Sequence, residues 1–411
     1  MPIANKHISI NTSNSLLEEA CMATVNYRHF LKDVLICSLG AYGGPEAHFG
    51  VFLDHLVTRK HYLEEEDLVE LLALNSILPG PTSTQTIVSV GYRIGGPLLA
   101  FFTLMVWALP VVLIMTALSF LYQILEELQI SGKILRFIGP MAVGFIVLAA
   151  YRIGKKVLID ITSYILFMFG AVTTYFIRSP WIFPLVLIIG GIISVISSRE
   201  TDLFQKTKLN PPWHYLVWFA CFAAGSLLLA TLTHHLLITL FEAFYRYGYL
   251  VFGGGQVVVP VMIAELVETK GYMSNEEFLT GYGLVQGLPG PMFSFSAYAG
   301  GMAARGQGTL FQIAAALLSA IGIFLPGTLL IFFVYPVWEK LKGIKAVRLS
   351  LRGINAVAGG LITTAAILLL QKSGLSLENF LILLFTVLLL LTRKIPAPLI
   401  VLATLGAGIL L

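Results

Sequence analysis

Leu71-Leu72-Ala73-Leu74-Asn75-Ser76-Ile77-Leu78-Pro79-Gly80-Pro81-Thr82-Ser83-Thr84-Gln85-Thr86 is the stretch on which the fold turns. An apolar, helix-like run meets Pro-Gly-Pro, then hydroxyls and an amide follow before the apolar pattern resumes. Proline inside a helix removes a backbone bond and clashes with the preceding turn, so the helix ends here. The stretch returns as Gly283-Leu284-Val285-Gln286-Gly287-Leu288-Pro289-Gly290-Pro291-Met292-Phe293-Ser294-Phe295-Ser296. Two helix breaks of one design stand 210 residues apart.

The surroundings of these breaks set their meaning. The 411 residues are 57% hydrophobic and 12% charged, with a mean hydropathy of +0.85. Soluble domains carry about a quarter charged residues, so the chain reads as an all-α polytopic membrane protein. Its apolar runs reach the roughly 20 residues that span a bilayer as a helix and lack the alternation of outer-membrane strands. The net charge of +4 is spread over loops, which records orientation and excludes a nucleic-acid partner. Cys21, Cys37 and Cys221 have no paired or metal-like spacing. No phosphate loop, no H-E-x-x-H and no cysteine cluster occurs, so no catalytic residue, metal or cofactor is expected.

Hydropathy and punctuation divide the chain into about thirteen transmembrane elements, at 30–57, 68–91, 96–124, 134–152, 157–177, 181–198, 213–236, 239–268, 277–302, 308–337, 346–370, 376–391 and 396–411. An amino terminus in the cytoplasm puts about 17 Lys and Arg residues inside against about 7 outside. Residues 1–29, polar and without a signal-peptide pattern, then form a cytoplasmic tail. A shift of 210 maps Gly43 onto Gly253, Gly44 onto Gly254, Tyr62 onto Tyr272, and Pro79-Gly80-Pro81 onto Pro289-Gly290-Pro291. A first transport repeat (30–198) and a second (239–411) thus flank a linker with one extra helix (199–238). One odd helix between two six-element halves inverts the second half, and inverted repeats with broken helices characterise secondary transporters.

Irregular backbone inside lipid leaves polar groups unpaired at a cost of several kcal/mol each, unless it is buried in protein or lines a cavity. A lone kink is readily accommodated by neighbouring helices; two at equivalent places favour a site. Pro81 and Pro291 suit the first position of a new half-helix. The amides that follow, of Thr82, Ser83 and Thr84 in one half and Met292 and Phe293 in the other, would then leave helix amino termini that attract anions. Ser83, Thr84 and Gln85 from one side, and Ser294 and Ser296 from the other, are the expected side-chain donors, with Gln286 and Gln256 close in sequence. Gly43, Gly44, Gly253 and Gly254 either unwind the backbone beside the site or serve close packing. Glu46 and His48 lie deep in an apolar element, where ionisable groups are costly. They either carry a proton or form a hydrogen-bonded pair that fixes the unwound backbone. Glu242 and Arg246 are spaced as a local i,i+4 pair, and Glu265 either faces a vestibule or marks a helix end. Arg93 and Arg305 either attract an anion at the entrance or anchor helix ends, the second reading being preferred, and Ser274 with Glu277 makes a capping box.

Gly43-Gly44-Pro45-Glu46-Ala47-His48-Phe49-Gly50, Leu78-Pro79-Gly80-Pro81-Thr82-Ser83-Thr84-Gln85, Phe252-Gly253-Gly254-Gly255-Gln256 and Gly281-Tyr282-Gly283-Leu284-Val285-Gln286-Gly287-Leu288-Pro289-Gly290-Pro291 resemble the motifs of the chromate ion transporters. The resemblance covers nearly the whole chain and matches the family's long, two-halved form. It implies an inner- or plasma-membrane carrier that exports chromate, or handles sulfate or another oxyanion, driven by the proton gradient. It implies no cofactor. The partners expected are a small inorganic oxyanion, protons and the lipid bilayer, with a homodimer left open. The rival readings are an oxyanion channel, and a membrane enzyme or scaffold that uses the breaks only for packing.

Overall fold

The computed structural model describes residues 25–179, 181–198, 200, 210–252, 255–341, 344–372, 376–392 and 394–410. The expected tail up to residue 24, part of the linker, and Gly253 and Gly254 lie outside them. Among the described residues all regular structure is helical. Five of the described helices are long and apolar enough to cross a membrane: Thr82–Glu127, Ile138–Val157, Trp213–Thr233, Thr309–Val337 and Lys345–Lys372.

The chain opens with α1 (Tyr27–Gly40), which Asn26 caps by accepting from the Arg28 and His29 amides. It breaks at Gly43 and Gly44, whose φ angles of 88° and 93° suit glycine. It resumes as α2 (Pro45–Phe52), with proline at the helix start, and widens into a π-helical segment, Leu53–Arg59. This stretch was expected to run on as one broken spanning element; in the structure its second arm folds back along the first. Asp33 of α1 accepts from Tyr62 Oη at 2.7 Å and pairs with His55 Nε2 at 2.8 Å and Lys60 Nζ at 3.1 Å. The stretch therefore returns to the end at which it began.

The next stretch does the same. Helix α3 (Glu65–Ile77) starts at a capping box of Glu64 and Asp67. It runs to Pro79-Gly80-Pro81, and α4 (Thr82–Glu127) returns beside it. Asn75 and Ser89 hydrogen-bond across the two arms, and Arg93 Nη2 meets Asp67 at 2.9 Å. Gly95 and Gly96 then break α4 (φ of −148° and 68°), and Pro97 opens the long apolar part of that helix. After the short α5 (Ser131–Ile134) come α6 (Ile138–Val157), α7 (Ile161–Phe176), α8 (Ile182–Ile196) and the extra α9 (Trp213–Thr233).

From Leu236 the pattern recurs at an offset of 210. Helix α10 (Leu236–Leu250) leads to a 3-10 turn (Gly255–Val258), α11 (Val259–Met262) and a second π-helical segment, Ile263–Thr269. Helix α12 (Asn275–Gln286), with its Ser274–Glu277 capping box, meets the second Pro-Gly-Pro, a 3-10 turn (Met292–Ser294) and α13 (Phe295–Ala303). Arg305 pairs with Glu277, as Arg93 does with Asp67, so both arginines anchor hairpin roots. The chain closes with α14 (Thr309–Val334), α15 (Trp338–Leu341), α16 (Lys345–Lys372), α17 (Leu377–Thr392) and α18 (Ala397–Leu410).

Side-chain pairs sort the loops into two ends. Glu70 meets Trp338, Asp160 meets Arg352 and Glu200 meets Arg348 at end I, with the roots of the first two hairpins. Glu268 meets Arg178 and Lys372, Arg136 meets Glu378 and Arg305 meets Glu126 at end II, with the roots of the second two.

Packing divides the chain differently from its two sequence halves. The four hairpins, α9, the long part of α4 and α14 form one unit. Helices α6 to α8 and α16 to α18 form a scaffold beside it. Helix α16 sits close against α7 and α8 because Gly353 and Gly360 leave no room for a Cβ between its backbone and the carbonyls of Gly190 and Phe167. The scaffold touches the hairpin unit mainly through α12 and α11, both from the second half.

Candidate functional site

The four hairpin tips meet. The Gly80 amide donates to the Val251 carbonyl at 2.8 Å, and the Gly290 amide donates to the Ala41 carbonyl at 2.8 Å. Both pairs obey the 210-residue shift, so each Pro-Gly-Pro tip is tied to the glycine break of the other half. Gly80 and Gly290 hold φ angles of 131° and 92° that turn their amides outward. These bonds satisfy two amides and two carbonyls that the breaks set free.

Pro81 and Pro291 are cap residues rather than first helical residues. Pro81 has extended backbone (φ −73°, ψ 96°), and α4 begins at Thr82. Pro291 is likewise extended, and a 3-10 turn precedes α13. The change is one position, and the first-turn amides of Thr82 and Ser83, and of Met292 and Phe293, still head helix amino termini without a partner in their own helix.

The side chains after the two breaks are not equivalent. In the first half Ser83, Thr84 and Gln85 are already engaged. Ser83 Oγ lies 3.0 Å from His48 Nδ1, and Thr84 Oγ1 accepts from Trp107 Nε1 at 3.1 Å. Gln85 Nε2 donates to Pro79 O at 2.7 Å, leaving Oε1 buried and unpartnered. Thr82 is half-buried and its carbonyl accepts from Thr86. The fully buried Trp107 is the hub of this frame. It packs edge-on against His48 and Phe52, and its carbonyl accepts from Ser38 Oγ. In the second half Ser294 and Ser296 are fully buried and neither Oγ has a partner. Gln286 Nε2 is also unpartnered, and Gln256 is half-buried in the 3-10 turn after the glycine break.

The structure thus gathers Gly80, Pro81, Ser83, Thr84, Gln85, His48 and Gly290 at one place. The Glu46 side chain lies outside the described residues, as do Gly253 and Gly254. Gly43 is exposed and Gly44 half-buried, and along the same face of α2 Ala47 and Gly50 are exposed. Val257 and Pro260, the counterparts of Ala47 and Gly50, are buried, as is Ala264, the counterpart of the exposed Asp54, and Pro260 and Ala264 face α16 residues Thr364 and Ala365. The helix face after the first glycine break is therefore bare where its described counterpart in the second half, Val257 to Ala264, is covered. A cavity of about 210 Å³ lies among α7, α8 and α16, lined by Asp160, Ser194 and Arg352, and no tip residue lines it.

Three features escaped the sequence reading. Glu265 neither marks a helix end nor faces a vestibule. It is buried with Arg246 and Glu242, its oxygens 2.8 and 3.0 Å from the guanidinium, and Tyr247 donates to it at 2.8 Å. Asp33 and His55 hold the matching hairpin in the first half, and His55 stands where Glu265 stands once 210 is added. Trp107 carries no motif at all. The i,i+4 spacing of Glu242 and Arg246 was a signal for the third hairpin's cluster; nothing in local spacing pointed to the other two. Among the described residues no group of His, Cys, Asp or Glu is placed to hold a metal.

Comparison with known proteins bears on what such a site handles. The family described as chromate transporter matches residues 29–195 and again 238–410, once in each half. The chain is 27% identical over 388 residues to the probable chromate transport protein of Synechococcus elongatus, covering 93% of this chain and 94% of that one. It is 27% identical over 369 residues to the chromate transport protein of Cupriavidus metallidurans (88% and 87%). It is 26% identical over 363 residues to that of Pseudomonas aeruginosa (87% and 84%). No solved structure matches the chain.

Proposed function

Because the chain belongs to the chromate transporter family, we propose that it is a secondary carrier exporting a tetrahedral oxyanion, chromate or its analogue sulfate, across the cell's inner or plasma membrane. The observation that carries this reading is the reciprocal bonding of the four tips. It supports a site where two helix amino termini, one from each half, converge on a small anion.

In this reading nine helices cross the membrane: the five long ones and α7, α8, α17 and α18. The four hairpins are re-entrant, the first two from end I and the second two from end II. This revises the thirteen spanning elements to nine spans and four hairpins, and it keeps the halves inverted, because α9 is still the odd helix between them. End I is cytoplasmic: Arg152, Lys155, Lys156, Lys345, Arg348 and Lys394 lie there, against Lys133, Arg136, Arg178 and Lys372 at end II. The amino terminus is then inside and the carboxyl terminus outside.

The anion is bound by the amides that follow Pro81 and Pro291, with Ser294 and Ser296 as free hydroxyl donors. Ser83, Thr84 and Gln85 serve mainly to shape the first half's wall. The bare face at Gly43 is the approach from the cytoplasm. His48, bonded to Ser83, is where proton and anion binding meet, with Glu46 beside it in sequence. The hairpin unit moves against the scaffold, not one sequence half against the other, because the packing boundary runs that way. Uptake of labelled chromate and sulfate into everted vesicles is the test. Gradient-driven accumulation of at least one is expected; no accumulation of either above vesicles lacking the protein would overturn the proposal.

A further inference from the structure

Ten buried side-chain polar atoms lack a hydrogen-bond partner among the described residues, and eight of them belong to residues 275–319. Such concentration is not a general property of this fold. Elsewhere the buried helical hydroxyls of Thr103, Thr116, Thr328, Thr386 and Thr404 each donate to the carbonyl one turn back. A buried hydroxyl without any partner costs about 1–3 kcal/mol, so a set of them needs something that intermittently supplies the bonds.

Their placement along one crossing says what. Ser294 stands at the tip, just before α13. Ser296 and Gly300 share one face of α13, being four residues apart. Helix α14 packs there, with Ser319 Oγ against Gly300 so closely that a Cβ would not fit. Two turns earlier on α14 is Gln312, whose amide nitrogen is also unpartnered and which follows the end II loop. All four side chains are nine-tenths or more buried. They form a line from the tips to end II.

We infer that the passage between the oxyanion site and end II runs along the α13–α14 crossing, where Ser294, Ser296, Ser319 and Gln312 donate in turn to the anion or its water. The line is closed in this conformation. Its donors are neutral, which suits passage: a site must bind well enough to admit an ion and weakly enough to release it. Arg305, near the mouth, is committed to Glu277 and Glu126. The inference rests on the reading of the tips as the oxyanion site, and the test separates the two.

Single cysteines are placed at Ser296, Ser319 and, as a control at similar depth from end II, the buried but bonded Thr386 of the scaffold, in a full-length chain whose Cys21, Cys37 and Cys221 are replaced by serine. Reconstituted protein is treated from end II with an anionic, membrane-impermeant thiosulfonate. Ser296→Cys and Ser319→Cys are expected to react at least about tenfold faster than Thr386→Cys, because the line must open transiently to water. Equal rates at all three overturn the inference. Labelling needs only water in the passage, so it decides the route whether or not chromate and sulfate stabilise the protein thermally, which tests the tip site. If the cysteine variants do not fold, Ser319→Ala serves. Its loss of one passing hydrogen bond is expected to slow sulfate counterflow about three- to tenfold without changing sulfate affinity; unchanged counterflow overturns the inference.

Discussion

Replacing Gly80 with alanine tests the tip geometry most directly, because the same change at Gly290 is its internal control. Both residues hold positive φ, 131° and 92°, so alanine at either is strained by about 1–3 kcal/mol. The space around them differs. A Cβ at Gly80 would lie 2.5 Å from Gln85 Nε2 and 2.9 Å from Cδ, so the amide must move. Moving it breaks the 2.7 Å bond to Pro79 O, worth about 1 kcal/mol net. A Cβ at Gly290 meets Ser38 Oγ and Val111 Cγ1, both at 3.4 Å, and Ser38 O at 3.6 Å, which is ordinary contact. Gly80→Ala should therefore cost about 2–4 kcal/mol and Gly290→Ala about 1–3, the former cost being higher by roughly 1 kcal/mol. Reversible unfolding in mixed micelles reads the stabilities, and vesicle uptake reads function. Uptake should fall further for Gly80→Ala, since it displaces Gln85 from the tip. Equal losses, or a larger one for Gly290→Ala, would refute the assignment of Gln85 to the wall behind Gly80.

Other expectations follow from the same contacts. Arg246→Met leaves Glu242 and Glu265 buried without a cation and should cost about 3–5 kcal/mol in the same unfolding assay; a neutral result would mean that the cluster is hydrated. Ser83→Ala should destabilise by about 1 kcal/mol because His48 loses its partner, whereas Ser294→Ala should be neutral or slightly stabilising. Yet Ser294→Ala should lose most of the thermal shift given by sulfate or chromate, and a full shift would remove Ser294 from the site. Asp160 caps α7 outside the spanning segments, where the Ser163 amide, its hydroxyl and Arg352 hold the carboxyl below its ordinary 3.8. A lowered folded pKa contributes stability above the unfolded value that is lost as pH falls through the folded one. Asp160→Asn should therefore flatten the acid limb of stability below about pH 4 and leave its shape near neutrality unchanged, read by unfolding at a series of pH values.

The helical class, the two Pro-Gly-Pro breaks and their 210-residue spacing were legible in the sequence because they are local or periodic. So were the capping box at Ser274 and the anchoring by Arg93 and Arg305. The return of each broken element was not. Two apolar arms around a break have the same hydropathy whether the chain continues or turns back. Only pairs such as Asp33 with His55 and Asp67 with Arg93, some two dozen residues apart, decide it. The site divided likewise. Pro-Gly-Pro announced helix amino termini, but nothing in Thr82-Ser83-Thr84-Gln85 says that Trp107 and His48 already occupy its hydroxyls. That Ser294 and Ser296 are free depends on which helices pack there, and α14 comes from later in the chain.

The reciprocal bonds from Gly80 to Val251 and from Gly290 to Ala41 also bear on how the protein is made. When the ribosome has released only the first half, the Gly80 amide and the Ala41 carbonyl have their partners still unsynthesised. That half is incomplete in its hydrogen bonding, not merely in its length, and it must wait for the second before either tip closes. Two fragments severed between α8 and α9 should then accumulate only when produced in the same cell, each a chaperone for the other's loose end.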